Sequence, residues 1–367
     1  MELTLETGQV LGNDQIVSAC VKRSIDPIYG YLQKDKLEVK LLGNVDLRQA
    51  AAGQAWVCLR HKNQVVAHQQ MLSCRQTGLG QTLQCATNLD FLRLECMGGM
   101  YQNENGMGIL KELLGHRSLD TAGDSLIGKV TGHIPVCNRG QAMRMLTFAL
   151  GAYMQVNPMG DFGLEKLEGK PKEIPGQRIL SPITVTHLPE YSRVELVTHG
   201  YTPGQQQVVL FSEKELSDQV QTYYFPEPVH WFYLAQSVEQ DYGPNFVTFR
   251  PVGLETLTVK PYLHTTNYLS RDLFTPADME HTRVLSVRDN TLISPENGPA
   301  LLDDLVERAK LRQKLELTIA VAGERIGSAV TVQTPDGRTY SGYITRMDST
   351  YSREREIADI TVMGKEI

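Results

Sequence analysis

The chain has 367 residues, 41% apolar and 21% charged, which excludes a disordered polymer and gives length for two or three domains with cores of their own. Its 36 basic and 42 acidic residues leave a net charge of −6, which argues against unspecific adhesion to nucleic acid or an anionic membrane, while still allowing a mildly acidic channel through which DNA passes without sticking. No stretch reaches the roughly 18 uninterrupted apolar residues of a membrane span, and the opening MELTLETGQVLGNDQ lacks a basic region followed by an apolar run, so synthesis and folding in a cytoplasm are expected, without membrane insertion.

Residues 1–85 read as strands. QIVSACVK, around Ile16 to Lys22, precedes KLEVKLL, in which Leu37, Val39 and Leu41 alternate with charged residues. AWVCLRH and QVVAHQQML follow, separated by Lys62-Asn63, a candidate hairpin turn. Alternation with one wet face predicts an antiparallel sheet or barrel. The chain then changes character: GGMYQNENGMG (Gly98 to Gly108) is rich in glycine and asparagine, and ILKELLGH reads as a short helix closed by Gly115.

The clearest helix lies between Ile134 and Pro158. Asn138 is placed to cap it, with Gln141 three residues on as in a capping box. Ala142, Leu146, Ala149 and Tyr153 recur at helical spacing, and Met145 and Phe148 widen the apolar face, which must pack on something broad. Asn157-Pro158-Met159-Gly160 turns the chain into FGLEKL, a short strand, and KPKEIPG (Lys170 to Gly176) reads as a connector and internal boundary.

From Ile179 to about Lys260 short strands return: ITVTHL, RVELVTHG, QVVLF, FVTFR and LETLTVK. The aromatic cluster YYFPEPVHWFY (Tyr223 to Tyr233) carries Pro226 and Pro228, which confine it to an edge or an irregular crossing. A second helix begins near Pro299, with Leu302, Leu305, Val306 and Ala309 as its apolar stripe and Glu307, Arg308 and Lys310 as its wet face. ELTIAV, SAVTVQT, TYSGYITRM and IADITVMG close the chain as strands, with a turn at Thr334-Pro335-Asp336-Gly337. Both ends are thus antiparallel β, which predicts one barrel split between the termini.

No residue pattern advertises catalysis, a cofactor or a metal. GxSxG, HExxH and GxxxxGK[ST] are absent, and Gly78-Leu79-Gly80 lacks the third glycine of a dinucleotide loop. His133 and Cys137 are four apart, but Pro135 opposes a shared helical face; a strand-to-helix junction explains them better than a metal pair. Asp303 and Asp304 are expected in a helix's first turn, where they suit its dipole. His187, His199, His230 and His264 have no fixed metal spacing. The six cysteines, Cys20, Cys58, Cys74, Cys85, Cys96 and Cys137, show no CxxC and are expected as buried free thiols. The Tyr223 to Tyr233 cluster is open between core or subunit interface and a sugar-binding platform. A nucleophile and its base can lie far apart in sequence, so these absences do not by themselves decide against an enzyme.

Three segments resemble one family. GHIPVCNRGQAMRMLTFALGAYMQVNPMGDFGLEKL (Gly132 to Leu167) looks like a segment common in tail proteins of Gram-positive phages and prophages. GERIGSAVTVQTPDGRTYSGYITRMDSTYSREREIADITVMGK resembles their closing barrel strands, and SIDPIYGYLQKDKLEVKL their opening. The family is the baseplate hub group of contractile tails, together with siphophage tail-tip proteins; R-type bacteriocins carry related particles.

The resemblance implies a β-rich α+β fold with two tube-type antiparallel β-barrels and inserted α/β parts. Residues 1–85 plus 315–367 would form the split barrel, 86–170 an α/β insertion, 177–260 a second β-rich domain, and 261–314 a connector and helix. It further implies a homotrimer that adapts the tail tube to a central spike among other baseplate proteins, with no stable nucleic-acid binding and no catalytic, cofactor or metal residues. The length is similar to that of a hub without a fused spike or lysin. Competing readings are a tail-associated peptidase or glycosidase that cuts cell wall, and a glycan-binding adhesin.

Overall fold

A computed structural model describes residues 1–43, 45–78, 80–120, 128–207, 211–214, 219–224, 229, 239–243, 246–250, 256–259, 262–273 and 283–367. The first seven strands are β1 (Glu2–Leu5), β2 (Val10–Leu11), β3 (Ile16–Ser24), β4 (Lys36–Leu42), β5 (Trp56–His61), β6 (Gln64–Thr77) and β7 (Gly80–Ala86), with a short helix α1 (Arg48–Ala52) before β5. Strand alternation sets the inside: Leu37, Val39 and Leu41 of β4 are buried, while Lys36 and Lys40 face water. Lys62 and Asn63 both have positive φ, 49° and 65°, which reverses β5 into β6 with the twist that a two-residue hairpin needs.

The insertion that follows holds β8 (Glu95–Cys96), β9 (Gly99–Asn105), α2 (Gly106–Leu114), β10 (Lys129–Ile134), β11 (Cys137–Asn138), α3 (Arg139–Ala149), β12 (Tyr153–Val156) and β13 (Phe162–Glu165). The capping box of α3 is formed: Gln141 N donates to Asn138 Oδ1 at 2.9 Å, and Asn138 N to Gln141 Oε1 at 3.2 Å. Ala142, Met145, Leu146, Phe148 and Ala149 are buried as the spacing predicts. Tyr153 is not part of that helix. Gly151, at φ 62°, ends the turn, and Tyr153 opens β12 in another core.

Strand β14 (Lys172–Ile174) lies within the KPKEIPG stretch and pairs in parallel with a C-terminal strand, burying Ile174, so this stretch is no free connector. Next come β15 (Thr184–His187), β16 (Arg193–Gln207), β17 (Phe211–Lys214), β18 (Gln221–Tyr224), β19 (Glu239–Gly243), β20 (Phe246–Arg250), β21 (Thr256–Val259), β22 (Tyr262–Asp272) and β23 (Val284–Val287). β16 carries β22 antiparallel on one edge and β23 parallel on the other, and α4 (Gly298–Ala309) packs on this small sheet. Phe225 to Pro228 and His230 to Tyr233 of the aromatic cluster lie outside the described residues.

The chain ends in β24 (Gln313–Ala320), β25 (Ala329–Gln333), β26 (Thr339–Tyr351) and β27 (Glu356–Glu366). These join the N-terminal strands in a 13-stranded sheet whose main path runs β15-β24-β27-β26-β3-β4-β7-β6-β5-β1-β2. β26 makes the join. One edge pairs with β27 over its length; the other pairs first with β25 and then, from Arg346, with β3. At the handover Ile344 bonds Ser328 and Gly327, and Thr345 O accepts from Ile25 N at 2.9 Å, so backbone pairing continues from β25 to β3.

Two apolar cores sit under this one sheet. The first is built from β1 to β7 with Tyr351; the second from β14, β24 to β27 and Tyr153. Two further clusters fill the insertion and the contact of α4 with β16. The fold is β-rich α+β, with a sheet that both chain ends share.

Candidate functional site

The histidines and acids singled out in sequence do not converge. His133 lies in β10 and Cys137 in β11, beyond Ile134-Pro135; His133 N donates to the Thr291 carbonyl at 3.3 Å, and the Thr291 hydroxyl donates to the His133 carbonyl. His187 faces out from β15 opposite Gln313, and His199 is buried with Nε2 3.2 Å from the Arg288 carbonyl. His264 belongs to β22, and His230 lies outside the described residues. Among the described residues no three His, Cys, Asp or Glu side chains gather as metal ligands would, and no helix is long and apolar enough to cross a membrane.

Asp303 and Asp304 are not in the first turn of α4, which holds no acid; the helix starts at Gly298 and places them a turn further in. They pair with cations instead of the dipole: Asp303 with Arg271, and Asp304 with Arg308 at 2.6 Å. Arg308 is the larger departure from its sequence reading. Expected on the wet face, it is 8% exposed, and its guanidinium donates to the carbonyls of Gly151 (2.8 Å) and Pro27 (3.3 Å). One side chain thus ties α4 to the end of α3 and to the N-terminal segment. Glu307 and Lys310 do stay at the surface, paired with each other at 2.5 Å.

Beside this junction an open cleft of about 230 Å³ is lined by Tyr29, Tyr31, Arg144, Phe148 and the 286–290 stretch. Tyr29 and Tyr31 stack at 5.3 Å, and the Arg144 guanidinium lies 5.0 Å over the Tyr31 ring. Burial raises the Tyr29 hydroxyl's pKa. Arg288 Nε donates to Ser286 Oγ at 2.9 Å, and its Nη2 to Glu195 at 3.0 Å; among the described residues that line the cleft there is no histidine. Spacing gave no sign of the cleft, since its walls come from segments more than a hundred residues apart.

The sheet edges are the other interaction-prone feature. β15 and β2 end the main path of the 13-stranded sheet, each leaving one row of backbone groups without a ladder partner in this sheet. Val10 on β2, Val17 on β3 and Leu42 on β4 expose 55%, 56% and 60% of their surface near one end. Of these only Val10 lies on an edge strand; Val17 and Leu42 lie on strands paired on both sides, and single exposed apolar residues are ordinary.

No family model matches the chain, and no curated protein sequence matches it. Solved structures do. The chain is similar to the tail protein from Neisseria meningitidis MC58, at 10% identity and a TM-score of 0.53 over 98% of this chain and 95% of that one. It is similar to the 43 kDa tail protein of prophage MuSo2 from Shewanella oneidensis, at 10% identity and 0.54 over 99% and 98%. Prophage tail protein gp18 from Listeria monocytogenes EGD-e aligns at 9% identity and 0.50 over 98% and 93%. At such identities the shared property is the fold, and it is shared end to end.

Proposed function

We propose that this chain is a structural subunit of a phage tail or of a phage-derived contractile injection particle, where it serves as the baseplate hub between the tail tube and the central spike. The observation that carries this reading is the end-to-end likeness to three tail proteins, with 98–99% of this chain aligned to 93–98% of theirs. A shared fold alone does not give a function; here it is joined by open sheet edges that need covering and by the absence of a nucleophile–base pair at the described cleft. In the proposal three copies close into a ring, each covering its neighbour's edge, and cyclic symmetry leaves no edge exposed. Residues 1–85 with 315–367, joined by β15, act as the split barrel of that ring, and the strands from β16 to β23 as the second. DNA passes through the lumen without stable binding, the chain catalyses nothing, and it is made in the bacterial cytoplasm before assembly into the particle.

The test is native mass by light scattering, followed by negative-stain averages of the same sample. A threefold ring with a central hole supports the hub. A sixfold ring moves the assignment to a tube or distal adaptor protein. A monomer that stays monomeric when co-expressed with its genomic neighbours overturns the proposal.

A further inference from the structure

Strands β8 and β11 form a short antiparallel ladder in which Cys96 stands directly opposite Cys137. The ladder is extended by Arg139 N donating to Leu94 O at 2.9 Å, so the pairing is not confined to the two cysteines. Residues opposed in such a ladder point to the same face and have Cα atoms about 4.5–5.5 Å apart, inside the roughly 4.4–6.8 Å that a disulfide spans. Both thiols pack on the same apolar cluster, that of the insertion. The other four cysteines have no such partner: Cys20 faces Glu38 and Thr350, Cys58 faces Thr4 and His68, Cys74 faces Leu83, and Cys85 faces Leu37 and Met71.

We propose that Cys96 and Cys137 are a built-in disulfide site, open while the chain is kept reduced and closed by a low-molecular-weight disulfide once it is not. The thiolate of one cysteine attacks the small disulfide, forming a mixed disulfide and releasing one small thiolate, which takes up a proton. The thiol opposite then loses its proton and displaces the second small thiol, forming the S–S bond. Two protein thiols and one small disulfide thus become one protein disulfide and two small thiols, with no other oxidant. Burial, with Cys96 beside it, pushes Cys137 up to about 11, so closure is slow at neutral pH and quickens as pH rises. The bond would pin β8 to β11 and close a loop containing β9, α2 and β10, at the base of α3 and beside the exposed side chains of Leu94, Met97 and Met100. This inference is independent of the hub proposal.

The experiment uses the full chain, folded and reduced, exposed to oxidised glutathione, then acid-quenched, unfolded in denaturant with excess N-ethylmaleimide and digested without reductant for mass spectrometry. The expected result is one linked pair, the Cys96 and Cys137 peptides joined with loss of two hydrogens, and the other four cysteines alkylated. The melting temperature should rise by several degrees, return with dithiothreitol, and not rise in Cys137→Ser. Alkylation of both cysteines, a glutathione adduct that persists on either, or linkage only between chains or after denaturation would overturn the proposal. The mass readout needs no variant, so a poorly folding serine substitution does not blunt it.

Discussion

Asp35 is a carboxylic acid placed almost out of reach of water, with Arg23 Nε 3.3 Å away as its ion-pair partner. Burial outweighs the arginine and pushes its pKa from 3.8 to about 6. The folded protein therefore holds the proton more tightly than the unfolded chain does. The stabilisation this gives is complete below about pH 4 and lost as pH rises through about 6, a change of up to about 3 kcal/mol. Asp35→Asn should lack that slope: wild type minus variant, followed by urea unfolding from about pH 4 to about pH 8, should fall across this window. A constant difference would show that Asp35 does not titrate there. Gly98 makes a second residue-scale case. Its φ is 70°, and an added Cβ would meet the Ile134 and Pro135 carbonyls, with Pro135 O at 2.8 Å. Gly98→Ala is expected to cost about 2–4 kcal/mol in the same assay, because backbone rather than a flexible side chain must yield. Neither residue stands out in sequence: an aspartate before a strand and a glycine among glycines look ordinary until the opposing segment is in place.

At the scale of elements, local signals were legible and tertiary ones were not. Asn138 and Gln141 announced the start of α3 because a capping box is satisfied within four residues, and Lys62-Asn63 announced its hairpin for the same reason. Asn138→Ala should lower stability by about 1 kcal/mol, read as a shift in urea midpoint at unchanged slope. Tyr153 continued the helical spacing by coincidence, since a buried strand residue beside a helix also reads as apolar. The KPKEIPG stretch looked like a linker because its prolines and glycine outweigh three residues, yet those three find a ladder on β25. Arg308 shows the same limit at α4. Its position follows from the Pro27 and Gly151 carbonyls, which sequence spacing cannot bring near it. Arg308→Met should cost about 3 kcal/mol, and Arg308→Lys should recover little, since one ammonium cannot reproduce the guanidinium fork.

For the whole molecule, the alternation of strands at both ends pointed to a barrel split between the termini, because each strand states its own wet and dry face; the structure shows one sheet that both ends share. How that sheet divides into two cores was not legible, since the division depends on where β26 changes partner. Leu188 N donates to Arg312 O at 2.7 Å, so by ladder alternation the His187 N–H on β15 points away from β24, toward the open edge. His187→Pro should leave the monomer's melting unchanged while weakening a ring that pairs through this edge, visible as lost high-mass species in light scattering. Purified chain added to cell walls should leave turbidity unchanged; clearing would restore the enzyme reading.

The long β26 strand also has a mechanical consequence. It is held by β27 along one side and by β25 and β3 in succession along the other. A pull along its axis loads these hydrogen bonds in parallel, as shear, and many must break together before it slips. A pull across it would open them one after another at far lower force. In the proposed particle, thrust along this axis would pass from one core to the other through β26 with little stretch. In single-molecule extension, pulling Tyr351 of β26 against Ser24 of β3, along the strands, should give a higher rupture force than pulling Arg346 against the opposed Ser24, across them.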